Sequence, residues 1–229
     1  MSRLARIAAV VGLVSALVAG RGHVARFLRT IDQRAGIFAP RGARLYNAVA
    51  PTLLRPLYGR VAGDVAALAE GDGSRPRVLE IGSGPGEVAL EIARRLPLAS
   101  VLGVDLADAM VDRARQRARD AGVHARVEFT LADAANLPIP DGSFDIAVST
   151  LSLHHWAEPG AVFAELGRVL RPAGVALVYD LRPFAYLRHE LEVFIAGTPF
   201  EGSHVERDLV RLGPLPAAFV RIRLVRPGR

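Results

Sequence analysis

The run from Arg77 to Leu90, RVLEIGSGPGEVAL, permits few folds. Val78 to Ile81 is short and apolar, as a strand buried on both faces must be. It breaks into glycine at 82, 84 and 86, and an amphipathic pattern starts at once, so the spacing predicts strand, tight turn and helix N-terminus. Glycines there allow sharp backbone turning and close approach of a ligand. The first N–H groups of the helix add partial positive charge. Glu80 falls at the carboxyl end of the strand, where open α/β sheets bind ligands. The spacing is G-x-G-x-G; a dinucleotide site would place its third glycine one position later, where Glu87 stands.

By itself such a turn is also what a purely structural loop looks like, but three further elements follow it. Ser100 to Val104 reads as a buried strand ending in Asp105, nineteen residues beyond Gly86. A carboxylate there can accept both ribose hydroxyls of a nucleoside, a feature that dehydrogenases share. A third strand, Arg126 to Leu131, leads into Ala132-Asp133-Ala134-Ala135-Asn136-Leu137-Pro138, and a proline-rich turn (LPIPDGSFD, 137–145) enters strand four, Phe144 to Ser149. That strand ends in Thr150-Leu151-Ser152-Leu153-His154-His155-Trp156. Histidine titrates near neutrality and can take a proton from an acceptor; equally, one histidine can cap the next helix with Trp156 packed beneath it.

Together these motifs, over roughly residues 76–180, resemble the class I S-adenosylmethionine (SAM) dependent methyltransferases, in particular the small-molecule enzymes of ubiquinone and menaquinone biosynthesis. The resemblance implies an α/β, Rossmann-like doubly wound sheet of six or seven strands with N-terminal helices, and SAM as cofactor. It implies cofactor contacts from Glu80, Gly82, Ser83, Gly84, Gly86, Asp105, Leu106, Asp133, Ala134 and Ser149, with Asp133 accepting the adenine amino group. The turn after strand four borders the methyl group in this fold, which makes His154, and less so His155, the candidate bases. Arg171-Pro172-Ala173-Gly174 is expected to turn into strand five, Val175 to Tyr179, with Ala173 where the family usually has glycine. Phe219 to Val225 reads as strand six, and no further segment reads as the antiparallel seventh strand.

Ahead of the glycine turn, apolar residues from Leu45 to Leu68 recur at three-to-four spacing, and Pro51 and Pro56 divide them into two helices. This region is similar to the lid of quinone-type methyltransferases, in which Tyr46 and Tyr58 would line a substrate pocket or simply pack the helix pair. Residues 71–76 form a linker, giving an organisation of 1–42, 43–75 and 76–229.

Charge is uneven. Residues 1–60 carry ten arginines against Asp32 alone, while the whole chain is only +6, so the remainder is net negative. Ile7 to Gly20 is apolar and uncharged, with arginines on both sides. Fourteen helical residues span about 21 Å, short of a roughly 30 Å hydrocarbon core. The segment is read as a membrane-associating helix, spanning or interfacial; the other readings are a buried helix and a secretory signal. Export would separate a methyltransferase from its cytosolic donor, and the denser arginines after the run favour the cytoplasmic side. Nucleic acid is set aside in favour of an anionic membrane. There are no cysteines, hence no disulfide and no thiolate metal site, and methyl transfer requires neither metal nor covalent intermediate. The expected reaction is methylation of a small lipophilic acceptor, a prenylated quinone precursor or a lipid, at the cytoplasmic membrane face. Alternatives are a soluble acceptor, a NAD-dependent dehydrogenase, or a non-catalytic membrane adaptor, for which the missing strand is the main ground.

Overall fold

The computed structural model describes residues 54–69, 75–213 and 217–228. Tyr46, the apolar run Ile7–Gly20 and the proposed boundary at 42/43 lie outside them. The elements are α1 (Arg55–Ala69), β1 (Arg77–Ile81), α2 (Glu87–Arg95), β2 (Ser100–Asp105), α3 (Asp108–Asp120), β3 (Val127–Leu131), β4 (Phe144–Thr150), a single 3₁₀ turn (Leu153–His155), α4 (Pro159–Val169), β5 (Leu170–Leu181), α5 (Arg188–Ile195), β6 (Glu206–Val210) and β7 (Phe219–Val225).

Alternation along the central strands assigns each side chain to one of two apolar layers. Val78, Ile146, Val148, Leu177 and Tyr179 pack under α1, α2 and α3. Leu79, Ile81, Ala147, Ala176 and Val178 pack under α4 and α5. The helices answer with apolar stripes at helical spacing, such as Leu57, Val61 and Val65 on α1, and Val111, Ala114 and Ala118 on α3.

The seven strands run in the order β3-β2-β1-β4-β5-β7-β6. The first five are parallel, and β7 is antiparallel to both β5 and β6. Chain direction across the sheet reverses between β1 and β4, which places a binding crevice outside their carboxyl ends. The count of seven falls within the expected six or seven, but the identity of the last two strands is corrected. Phe219–Val225 is the antiparallel strand inserted beside β5, and the unforeseen strand is the edge, Glu206–Val210. A missing strand therefore no longer supports a non-catalytic adaptor.

Residues 171–174, expected as a turn, belong to a long β5 that is out of register with β4 between Phe144 and Ile146. At this irregularity Asp145 accepts the Arg77 N–H at 2.6 Å and pairs with Arg171 at 2.7 Å, so it ties β1 to the entry of β4. Ala173 there has φ 64°. A Cβ in that conformation costs about 1–2 kcal/mol, partly offset because glycine frees the unfolded chain. Ala173→Gly is expected to raise Tm by about 1–3 °C, measured by thermal melting; a lower Tm would mean that the methyl group packs favourably.

Candidate functional site

The glycine turn closes over the switch point. Gly82, Gly84 and Gly86 all have positive φ, at 65°, 50° and 81°. Their reasons differ. A Cβ on Gly82 would lie 2.6 Å from the Ser152 Cβ, and one on Gly86 would lie 2.7 Å from the Phe129 ring. A Cβ on Gly84 would meet nothing within 4 Å. Gly82 and Gly86 thus serve packing, while Gly84 is the open member of the turn.

Asp105, at the end of β2, is bound into the same turn. One carboxylate oxygen accepts the Gly84 N–H at 2.7 Å and the other accepts the Ala107 N–H at 2.9 Å. An ionised carboxylate has about four acceptor positions, so it can hold the turn and still receive hydroxyls. Glu80 is buried, and its Oε2 accepts the Ala89 N–H in the first turn of α2 at 3.0 Å. Burial pushes this carboxyl well above the ordinary range; the Ala89 bond opposes that rise and the charges of Asp105 and Glu87 add to it. Ser83 is buried with no hydrogen-bond partner for its Oγ among the described residues.

Beyond Asp105, Leu106 is 72% exposed, and Leu131 at the end of β3 is 51% exposed. Asp133 is exposed, with Oδ1 accepting the Ala135 N–H at 2.9 Å, and Ala134 is half-buried. Arg168 of α4 fixes this loop from below: it donates to the Leu137 and Ile139 carbonyls and pairs with Glu165 and Asp141. Glu165 in turn accepts the Leu137 N–H at 2.7 Å.

The turn after β4 is strained. Leu151 has φ 59°, a conformation that bulky side chains rarely adopt. It places Ser152 under Gly82, with its Oγ 2.5 Å from that of Ser149 and accepting the Trp156 indole N–H at 3.2 Å. Ser149 is buried and its hydroxyl engaged by Ser152. Trp156 packs edge-on against Phe163.

His154 is 2% exposed, and its partner is Asp180 at the end of β5. Asp180 accepts the His154 backbone N–H at 3.0 Å, and its other oxygen lies 2.7 Å from the ring Nδ1. A buried carboxylate against Nδ1 fixes the ring and leaves Nε2 as the atom able to accept a proton. Phe184 stacks on the opposite side, with ring centroids 5.0 Å apart. His155 is exposed, with its ring 4.0 Å from that of His154.

The second substrate candidate, Tyr58, is placed elsewhere. It lines a groove of about 710 Å³ between α1, α2 and the end of α3, shared with Arg55, Glu91, Arg117 and Arg126. Glu87 and Leu90 are the residues this groove has in common with the segment of the glycine turn. Asp180, Phe129 and Arg168 were not singled out from the sequence.

A mixed sheet with five parallel strands, a glycine turn at the switch point, an acid ending β2 and an exposed apolar residue beyond it has the Rossmann-like arrangement expected of a nucleoside-cofactor domain. Residues 79–178 match the family model described as "Methyltransferase domain". The chain is 42% identical over 118 residues to 27-O-demethylrifamycin SV methyltransferase of Amycolatopsis mediterranei, covering 52% of this chain and 41% of that protein. It is 37% identical over 107 residues to demethylmenaquinone methyltransferase of Thermus thermophilus, covering 47% and 48%. A solved SAM-dependent methyltransferase from Aquifex aeolicus shares the fold, with TM-score 0.58, 19% identity, and coverage of 77% of this chain and 98% of that one. Over residues 79–178, a little under half of its length, the chain is similar to the domain found in small-molecule methyltransferases. It spans about half the length of the curated relatives it matches.

SAM is the cofactor of this family, and the residues present fit it. The open position at Gly84, the Ser83 hydroxyl without a partner, the Asp105 carboxylate and the exposed Leu106 converge on the crevice that the topology predicts.

Proposed function

We propose that this protein methylates a small lipophilic acceptor, a prenylated quinone precursor or a lipid, at the cytoplasmic face of a membrane. The observation that carries methyl transfer is the glycine turn held by Asp105 beside the oriented His154–Asp180 pair, on the adjacent carboxyl ends of β1, β2, β4 and β5. Gly84, Asp105, Leu106 and the Asp133 loop would hold the cofactor, and Glu80 would set the position of α2 beneath it. When bound, SAM supplies an electrophilic methyl carbon. The chain's part is then to position the acceptor and to take its proton. Asp180 keeps the proton of His154 on Nδ1, so that Nε2 is the receiving atom. Mass spectrometry of products from labelled SAM with lipid extracts tests the reaction. Label in a lipid species heavier by a methylene supports the reading, and label only in water-soluble products moves the acceptor to a soluble metabolite.

The membrane part rests on the sequence of Ile7 to Gly20 and the arginines around it. Among the described residues, no helix is long and apolar enough to cross a membrane. Arginines near an anionic surface contribute about 1 kcal/mol each. Removing residues 1–30 is expected to shift the protein from the membrane to the soluble fraction with SAM affinity unchanged, because every proposed cofactor contact follows residue 79. Release of the full chain by 1 M salt would indicate a flat, charge-assisted helix. Full-length protein that ignores anionic liposomes would make the segment a core helix.

A further inference from the structure

The loop between β3 and β4 is poorly equipped to hold its own shape. Its centre, Leu137-Pro138-Ile139-Pro140-Asp141, lies outside the sheet, and its two prolines have no backbone N–H to donate. Surface loops of this kind are the mobile parts of a fold. Here two side chains of α4 grip it.

Arg168 uses all five of its N–H donors in that grip. Nε and Nη2 form a fork on the two Glu165 oxygens, each at 2.7 Å. Nη2 also donates to the Leu137 carbonyl at 3.0 Å, and Nη1 donates to the Ile139 carbonyl and to Asp141, both at 2.7 Å. Glu165 completes the clamp by accepting the Leu137 N–H at 2.7 Å. Leu137 is thus held at both ends of its backbone unit, and its side chain is buried. The Asp141 carboxylate is mostly exposed, so that ion pair adds little. The clamp works through the backbone groups.

Asp133 stands between this clamp and a second anchor. Ahead of it, the Ala132 N–H donates to the Asp105 carbonyl at 3.1 Å. After it, the Ala135 N–H donates to Asp133 Oδ1 at 2.9 Å and the Asn136 N–H to the Asp133 carbonyl at 3.0 Å. Leu137 follows directly on that turn. The exposed Asp133 carboxylate is therefore tied from both sides, on one of them to the residue proposed to receive the ribose.

We propose that Glu165 and Arg168 are positioning residues for base selectivity. They hold the turn from Asp133 to Leu137 so that Asp133 accepts the amino group of the cofactor's adenine and rejects a base with a carbonyl at that place. This deepens the reading of the crevice as a SAM site and rests on it. A carboxylate accepts a hydrogen bond from an amino group, whereas a carbonyl oxygen offers it no donor and repels it. A site built around such a bond discriminates strongly because the wrong ligand leaves its polar group unpaired. That penalty requires a carboxylate that cannot retreat. On an unclamped loop Asp133 would swing away from the wrong base, and much of the preference would be lost.

The test is calorimetric titration of the full-length protein with S-adenosylhomocysteine and with S-inosylhomocysteine, which carries a carbonyl in place of the adenine amino group. The wild type is expected to prefer the adenine form by about 10–100-fold, the worth of one charge-assisted hydrogen bond. Asp133→Asn should erase the preference, because its amide can turn the NH₂ toward the carbonyl. Arg168→Gln should cut the preference about tenfold, a loss of position rather than of a contact. Arg168→Lys covers the case in which the glutamine variant does not fold. Lysine keeps a charge beside Glu165, but its compact ammonium cannot reproduce the guanidinium fork, so the preference should fall in this variant too. A purely structural role would lower melting temperature and weaken both ligands in proportion, and an unchanged ratio in the folded variants would overturn the proposal. So would a wild type without preference, or a preference that survives Asp133→Asn. Failure of the wild type to bind S-adenosylhomocysteine at all would instead count against the SAM reading itself.

Discussion

His154→Asn is expected to lower kcat by about 10²–10⁴ with SAM affinity and melting temperature nearly unchanged. Asparagine is the informative replacement because its amide NH₂ occupies roughly the position of Nδ1. It can keep the 2.7 Å contact to Asp180 while deleting Nε2. Alanine would leave Asp180, which is fully buried, with only the His154 and Leu181 backbone N–H groups, and losing one charge-assisted bond there costs about 1.5–3 kcal/mol. The experiment therefore separates a base from a structural histidine. The pH profile adds a second readout: the limb reporting the base should vanish in the variant and persist in the wild type. A loss of a few-fold or less would show that acceptor positioning carries the chemistry and that His154 supports the exposed His155.

The cofactor half of the site was legible because its parts are local in sequence. The turn Gly82–Gly86 and the acid ending β2 are set by strand, turn and helix periodicity, and the structure brings Gly84 and Asp105 to 2.7 Å. What the periodicity does not carry is which glycine faces space. That depends on Phe129, whose ring fills the positions over both Gly86 and Gly103 from a neighbouring strand. The His154–Asp180 pair was half legible. The histidine stands in a recognisable turn, but its partner lies 26 residues on and meets it only because β4 and β5 are adjacent and in register to Thr150 and Tyr179. The edge strand Glu206–Val210 was invisible for a physical reason. Three of its five residues are charged, and their charges are answered across the ladder by Arg221 and Arg223 or by a backbone carbonyl. An edge stabilised in that way shows no apolar alternation.

Gly84→Ala is expected to weaken SAM binding by at least tenfold and to cost only about 1–2 kcal/mol of stability without ligand. The stability term follows from φ 50° alone, since the added methyl meets nothing within 4 Å. The affinity term follows from the same open space, which is where the backbone must be approached closely. Gly82→Ala and Gly86→Ala give the contrast. Their methyl groups would stand 2.6 Å from Ser152 and 2.7 Å from Phe129, so both should melt well below the wild type even without cofactor. Asp105→Ala should fall between these cases. It removes the acceptor of two backbone N–H groups, each charge-assisted bond being worth about 1.5–3 kcal/mol, and with them the carboxylate proposed to receive the ribose. Both Tm and affinity should drop, and a loss confined to affinity would mean that the turn holds its shape without the carboxylate. Titration with S-adenosylhomocysteine, together with ligand-free melting, reads all four variants. Wild-type affinity in Gly84→Ala would show that the cofactor does not approach this backbone, and the crevice between β1 and β4 would lose its claim to be the methyl-donor site.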